Sequence, residues 1–328
     1  MRNWFTIVFL TVILSPAIAQ NADFSIPDSV CEDNPVYITD VQPPAANSYK
    51  WNFCTGNASL EPDGINVGNP NQQLNAPRYV TLTQDGEFYY VFVTSTGNGK
   101  VIRHFYGTSL TQYPLSSTDL GSFGTLTSLV RGIQVKEKNG NWYGFVAERN
   151  MLIRLIFGNS PANIPTAEVI ALPTVIAASG LSIAKQGTTY AGFCTDIDGN
   201  SLVHLVFSLG LDNDPVVSNL GNVGQLSGPA SIVLTQDKGS WTAFITNINN
   251  NTITRVGVGT SLITPVINAA NLSNINVLNL NAGISLINEC GAVNGFVTNC
   301  VNESDRCIVH LTFPGGISGP VNGYIIPN

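Results

Sequence analysis

The chain has 328 residues, with 14 Lys+Arg against 21 Asp+Glu, a net charge of −7 and only 11% charged residues. An average soluble protein carries about 25% charged residues, and binding a polyphosphate backbone needs clustered Lys and Arg, so a nucleic-acid partner is excluded. At 44% hydrophobic residues the chain is too apolar for disorder, and its 31 Gly with only 2 Met favour strands and turns over helices.

In chain order, Met1-Arg2-Asn3 is a short positive start, residues 4–14 are an apolar run, and Ala17-Ile18-Ala19 is a small-x-small cleavage site. Residues 1–19 are therefore expected to be a signal peptide. The run is too short for the ~30 Å of a bilayer core, and no second run approaches that length. The mature chain is expected to be secreted or at the outer cell surface, with no transmembrane segment.

Residues 24–31, 35–40 and 49–56 then read as three short strands. Six cysteines in an exported chain invite disulfides. Cys300 and Cys307 bracket a polar hairpin loop, and Cys31 and Cys54 could join two early strands. Cys194, inside the apolar Gly192-Phe193-Cys194-Thr195, reads as a buried thiol, and Cys290 has no obvious partner. No spacing fits a zinc site, and no cofactor is expected.

From there a repeat of about fifty residues organises the chain. One phrase recurs around Phe92, Phe145, Phe193, Phe244 and Phe296, at steps of 53, 48, 51 and 52. A second carries Arg103, Arg154, His204, Arg255 and His310, at steps of 51, 50, 51 and 55. A turn ending in Pro follows each, then a closing phrase such as Asp119-Leu120-Gly121 or Asn219-Leu220-Gly221. Each unit opens with an alternating run ending at a turn, such as Thr81-Leu82-Thr83-Gln84-Asp85-Gly86. Four strands in fifty residues is the content of a propeller blade. Tyr37-Ile38-Thr39-Asp40 also resembles Phe193-Cys194-Thr195-Asp196, and Gly64-Ile65-Asn66-Val67-Gly68 resembles a closing strand. Residues 22–68 then count as a further blade. The expected architecture is all-β: a propeller of about six four-stranded blades, or alternatively five blades plus a partial strand segment.

That segment carries a resemblance. Trp51-Asn52-Phe53-Cys54-Thr55-Gly56 is similar to the Trp-Asp-Phe-Gly-Asp-Gly hallmark of PKD-type immunoglobulin-like modules. With the repeats, the chain resembles exported surface proteins of Bacteroidetes that pair such modules with a propeller of Trp/Tyr-x-Gly-Phe-Val units. The resemblance divides the chain into residues 1–19, a PKD-like half-module or first blade strands at 20–56, and propeller repeats at 57–328.

Catalytic signals are sparse. The three histidines His104, His204 and His310 stand beside no nucleophile motif, and no Gly-x-Ser-x-Gly elbow occurs. Asp196-Ile197-Asp198-Gly199-Asn200 resembles part of a calcium loop but lacks its remaining ligands, so an Asp-Gly hairpin is expected. The repeated cation is the strongest candidate site. Arg103, Arg154, His204, Arg255 and His310 at one height would form a collar for an anion or carboxylate, or each would pair with a neighbouring blade. The expected function is a non-catalytic binding, adhesion or scaffold module for a protein or carbohydrate at the cell surface. The alternative is a lyase or hydrolase with its site in the axial mouth.

Overall fold

The computed structural model describes residues 24–25, 39–40, 66–272, 275, 277–279, 282–289, 292–300 and 306–326. The chain divides into two compact units, Met1–Thr55 and Gly56–Asn328. In the first, β1 (Phe24–Ser25) pairs antiparallel with β2 (Thr39–Asp40). The expected signal segment, Cys31, Cys54 and the PKD-like motif lie outside the described residues.

The second unit holds five four-stranded antiparallel sheets, each made of consecutive strands. The first sheet is β3 (Pro77–Asp85), β4 (Phe88–Ser95), β5 (Lys100–Gly107) and β6 (Ser116–Gly121). The second is β7 (Val130–Lys138), β8 (Asn141–Glu148), β9 (Met151–Gly158) and β10 (Thr166–Ala171). The third is β11 (Ala178–Gln186), β12 (Thr189–Asp196), β13 (Ser201–Phe207) and β14 (Val216–Asn219). The fourth is β15 (Pro229–Asp237), β16 (Ser240–Asn247), β17 (Thr252–Gly259) and β18 (Asn268–Leu272). The fifth is β19 (Ile284–Glu289), β20 (Ala292–Cys300), β21 (Arg306–Thr312) and β22 (Asn322–Ile326).

The architecture is thus a five-bladed propeller, and the expectation of about six blades is corrected to the alternative of five. Counting residues 22–68 as a blade rested on two short similarities to later strands. Short apolar phrases of that kind recur in any β-rich chain, so they do not establish four paired strands. The long repeat phrases do land on strands: the Phe phrase on the second strand of each blade, the cation phrase on the third, the closing phrase on the fourth.

Local chemistry sets the first hairpin of each blade. Asn139-Gly140 and Lys238-Gly239 join β7 to β8 and β15 to β16 with positive φ at both residues. That is the two-residue turn whose twist matches paired strands. The core is not central but lies in layers between successive blades. Phe92 packs edge-on to Phe157 at 5.3 Å, Phe145 meets Phe207 at 5.0 Å, and Phe244 meets Phe313 at 5.2 Å. Phe92 and Phe145 therefore fill against the third strand of the next blade and Phe244 against the residue just after it, and Phe92, Phe145, Phe193 and Phe244 are fully buried.

Four such layers join blades one to two, two to three, three to four and four to five. Among the described residues none joins five to one. Ile133, Leu181 and Ile232 are buried against the preceding blade, but their first-blade counterpart Val80 is 67% exposed. Leu152, Leu202 and Ile253 are fully buried, but their fifth-blade counterpart Ile308 is 42% exposed. Among the described residues no layer closes the ring on this side, where Val80 and Ile308 line the axial cleft.

Candidate functional site

The first strand of every blade lines the axis. Four of these strands carry a bulge near their start, where the register with the second strand skips Arg78, Arg131-Gly132, Ser179-Gly180 and Ala230. Bulges re-aim side chains at the ends of sheets, and here they bring neighbouring strands close. A Cβ on Gly132 would lie 2.3 Å from the Ser179 carbonyl oxygen, and one on Gly180 would lie 2.7 Å from Ser231 Cα. Side chains then stitch the second inner strand to the third and the third to the fourth. Gln134 Oε1 accepts the Ile183 amide at 2.7 Å, Ser182 Oγ accepts the Leu234 amide at 3.0 Å, and Ser179 Oγ donates to the Ala230 carbonyl at 2.8 Å. Tyr79 reaches across the axis from blade one. Its hydroxyl donates to the Ala230 carbonyl at 2.6 Å and shares a hydrogen bond with Ser179 Oγ at 2.9 Å. Burial raises the affinity of that hydroxyl for its proton, a shift opposed by the Ser179 hydrogen bond and by Arg78 and Arg131.

Between the inner strands lies a cleft of about 460 Å³. Its lining is mostly apolar, with Arg78, Tyr79, Thr81, Gln134, Ser182, Ser231 and Ser285 as polar members, and Phe296, Thr298 and Ile308 of blade five form its side wall. The mouth is the end at which the inner strands begin, where the second strands end and the third strands start. The β8–β9 and β12–β13 turns therefore bring Glu148 and Asp198 to this end. Both lie within electrostatic reach of Arg131 and favour its charged form, while burial and then Arg78 disfavour it.

The acidic residues that close the second strands have structural work at this mouth. Glu148 is buried and accepts the Thr127 amide at 3.1 Å and the Thr127 hydroxyl at 2.7 Å. Asp196 is buried and accepts the amides of Ile176, Ala177 and Gly199 at 3.0, 2.9 and 3.0 Å. Ser95 and Asn247 do the same in blades one and four, accepting the Asn75 and Ser227 amides. In each of the first four blades one polar side chain thus anchors the loop entering that blade. The Asp196–Asn200 segment is accordingly a turn closed on its own backbone, with Asn200 at φ 48°. Among the described residues no group of three His, Cys, Asp or Glu side chains is placed to hold a metal ion.

The five cations of the expected collar sit elsewhere. The strand register sets each directly opposite its blade's Phe, on the same face: Arg103 opposite Phe92, Arg154 opposite Phe145, His204 opposite Phe193, Arg255 opposite Phe244, His310 opposite Phe296. Four of them reach the next blade's connection between third and fourth strands. Arg103 donates to the Pro161 and Asn163 carbonyls, both at 2.7 Å, and Arg255 to the Ile317 and Gly319 carbonyls at 3.3 and 2.6 Å. Arg154 bridges Glu168 in its own blade and Asp214 in the next, both at 2.8 Å, and His204 Nε2 meets the Leu262 carbonyl at 2.7 Å. His310, on the last blade, turns to Asn294 at 2.9 Å in its own sheet. These contacts lie between blades, towards the end opposite the mouth, and none of the five lines the axial cleft.

Burial lowers the proton affinity of His204, partly offset by its Leu262 hydrogen bond, and burial does the same to His104. Both are therefore held neutral, and the unfolded chain binds protons that the folded one does not. Stability from this source is complete above about pH 6.5 and is lost as pH falls through that value. Urea unfolding between pH 8 and 5 should show the decline, and a His104→Asn/His204→Asn double variant should flatten it. A wild-type curve that rises on acidification would contradict this.

Cys194 is a free, fully buried thiol whose pKa burial pushes up to about 12. Cys300 lies opposite Arg306 and Cys307 opposite Asn299, so the two are offset by one residue and are not cross-strand partners. No helix among the described residues is long and apolar enough to cross a membrane.

Reasoning from the repeat phrases missed Arg78, Tyr79, Arg131, Glu148 and Asp198. A signal for the arginines existed: they stand 53 residues apart, the same step that separates Phe92 from Phe145.

No family model matches this chain, and no curated protein matches it in sequence. Solved structures match its fold. An exo-β-1,3-galactanase from Phanerochaete chrysosporium, bound to galactose, aligns at TM-score 0.51 and 12% identity, over 76% of this chain and 62% of that one. A variant of the same enzyme with β-1,3-galactotriose aligns at 0.51 and 10% over the same shares. A bifunctional GH43-CE protein of Bacteroides eggerthii aligns at 0.47 and 11%, over 74% of this chain and 33% of that one. This chain thus spans a third to two thirds of the length of these neighbours. The expectation of a non-catalytic module with no enzymatic activity is corrected here, because the propeller fold it took for a bare binding scaffold is similar to that of an exo-β-1,3-galactanase. At these identities the likeness establishes the fold: a five-bladed propeller similar to those enzymes.

Proposed function

We propose that the chain is a glycoside hydrolase that takes its substrate in the axial cleft. The observation carrying this reading is the mouth itself, where polar side chains punctuate a mostly apolar cleft and the carboxylates Glu148 and Asp198 lie within electrostatic reach of Arg131, on a fold similar to that of a galactanase. Hydrolysis of a glycosidic bond takes two carboxyl groups, one acting as general acid and the other as base or nucleophile. Among the described residues the cleft lining holds none, and the pair within reach of Arg131 is Glu148 and Asp198. Glu148 is held by Thr127 and fixed in place. Asp198 is exposed on the β12–β13 turn, so its carboxylate can meet a substrate from solvent. Ser182, Ser231 and Ser285 supply hydroxyl groups that a sugar's own hydroxyls pair with. The apolar start of the chain supports action outside the cytoplasm, on a carbohydrate partner.

The test is reducing-end release from galactan, xylan, arabinan and polygalacturonate oligosaccharides by the full chain. Asp198→Asn should lower the rate by at least about a hundredfold, the contribution of a positioned acid or base, with the thermal midpoint unchanged. A folded wild-type protein that releases no reducing ends from any of these glycans overturns the reading.

A further inference from the structure

Resting on the reading of this cleft as a glycan site, we infer that Arg78 and Arg131 form a fork for the carboxylate of an acidic sugar, so that the substrates are uronate-bearing glycans. The two arginines occupy equivalent bulge positions on neighbouring inner strands, Arg78 in the cleft lining and Arg131 directly before the lining residue Gly132. The fold holds these like charges close enough that Arg78 disfavours the charge on Arg131. No carboxylate lies within ion-pair distance of either among the described residues. Burial leaves the Nη1 of Arg131 without any hydrogen-bond partner.

An unpaired buried donor is costly, and two juxtaposed cations are stabilised by an anion between them. The groups facing Arg131 do not fill that role. Both oxygens of Glu148 are committed to Thr127, and Asp198 projects from an exposed turn. The Tyr79 hydroxyl donates to the Ala230 carbonyl. At the equivalent positions of blades three and four stand the small Ser179 and Ala230, whose hydroxyl and carbonyl meet the Tyr79 hydroxyl rather than the arginines. A planar carboxylate accepts parallel N–H bonds from guanidinium forks, whereas a neutral sugar has no group of that shape and charge.

The experiment is calorimetric titration of the full chain with trigalacturonate and, in parallel, with neutral galactotriose. Trigalacturonate should bind more tightly, and its affinity should fall as salt rises, since exposed charges are screened. Arg78→Gln and Arg131→Gln should each weaken it by about tenfold or more and weaken galactotriose binding by a smaller factor. Arg78 is exposed and outside the core, so Arg78→Gln keeps the test informative if Arg131→Gln fails to fold. Equal affinity for the two trisaccharides, or unchanged trigalacturonate affinity in Arg78→Gln, overturns the inference. Turnover separates it from the reading it rests on. Trigalacturonate binding without bond cleavage leaves the fork standing and removes the hydrolase, while cleavage of neutral glycans with no uronate preference does the reverse.

Discussion

Truncating Phe145 to alanine is expected to lower the unfolding free energy by about 3–5 kcal/mol, the range for removing a buried aromatic ring from a packed core. The ring is fully buried and meets Phe207 of the next blade at 5.0 Å. It also lies cross-strand from Arg154, whose guanidinium is 3% exposed and ties Glu168 to Asp214. The cavity would open in the layer between blades two and three, where relaxation is limited because the strands on both sides are hydrogen-bonded into sheets. Phe145→Leu should recover part of the loss by refilling the space. Urea unfolding of the three proteins, followed by circular dichroism, decides the matter. A loss below about 1 kcal/mol for the alanine variant would mean that the layers between blades do not carry the stability.

Replacing Asp196 with alanine should cost about 3 kcal/mol, since each buried donor left unpaired costs about 1–3 kcal/mol. Its carboxylate holds the Ile176, Ala177 and Gly199 amides at once. Asp196→Asn should be much milder. Its Oδ1 can keep part of the set, as Asn247 does by accepting the Ser227 amide in blade four. The same unfolding series tests this, with amide exchange at Ile176 and Ala177 as the local readout. Faster exchange there in the alanine variant, at unchanged exchange in blade four, is the expected pattern. Equal stability of wild type and Asp196→Ala would refute the anchoring role.

Phe145 and Asp196 differ in how plainly the amino-acid sequence marks them. The Phe phrase is legible because a buried residue recurs whenever one blade must cover the next, and a repeat makes that recurrence visible along the chain. The cation phrase is equally legible as a pattern but not as a position. Periodicity says that Arg103, Arg154 and His204 are equivalent, and it cannot say whether equivalence means a ring around the axis or a row of contacts between blades. The cross-strand register settles this, because it sets each cation over its Phe and turns it towards the next blade. The anchors Glu148 and Asp196 are legible in neither sense, since different residue types do the same work in each blade.

The amino-acid sequence by itself determined the strand order, the repeat length, the turns and the layers between blades. All of these follow from local alternation of polar and apolar residues and from burial that recurs every fifty residues. The number of blades, the exposure of Val80 and Ile308 on the first and the fifth, and the cleft with Arg78, Arg131, Glu148 and Asp198 at its mouth were decided by tertiary structure. Those features join residues far apart in the chain. Their closeness comes from the bulges and the radial placement of the sheets, which leave no periodic trace except in the two arginines.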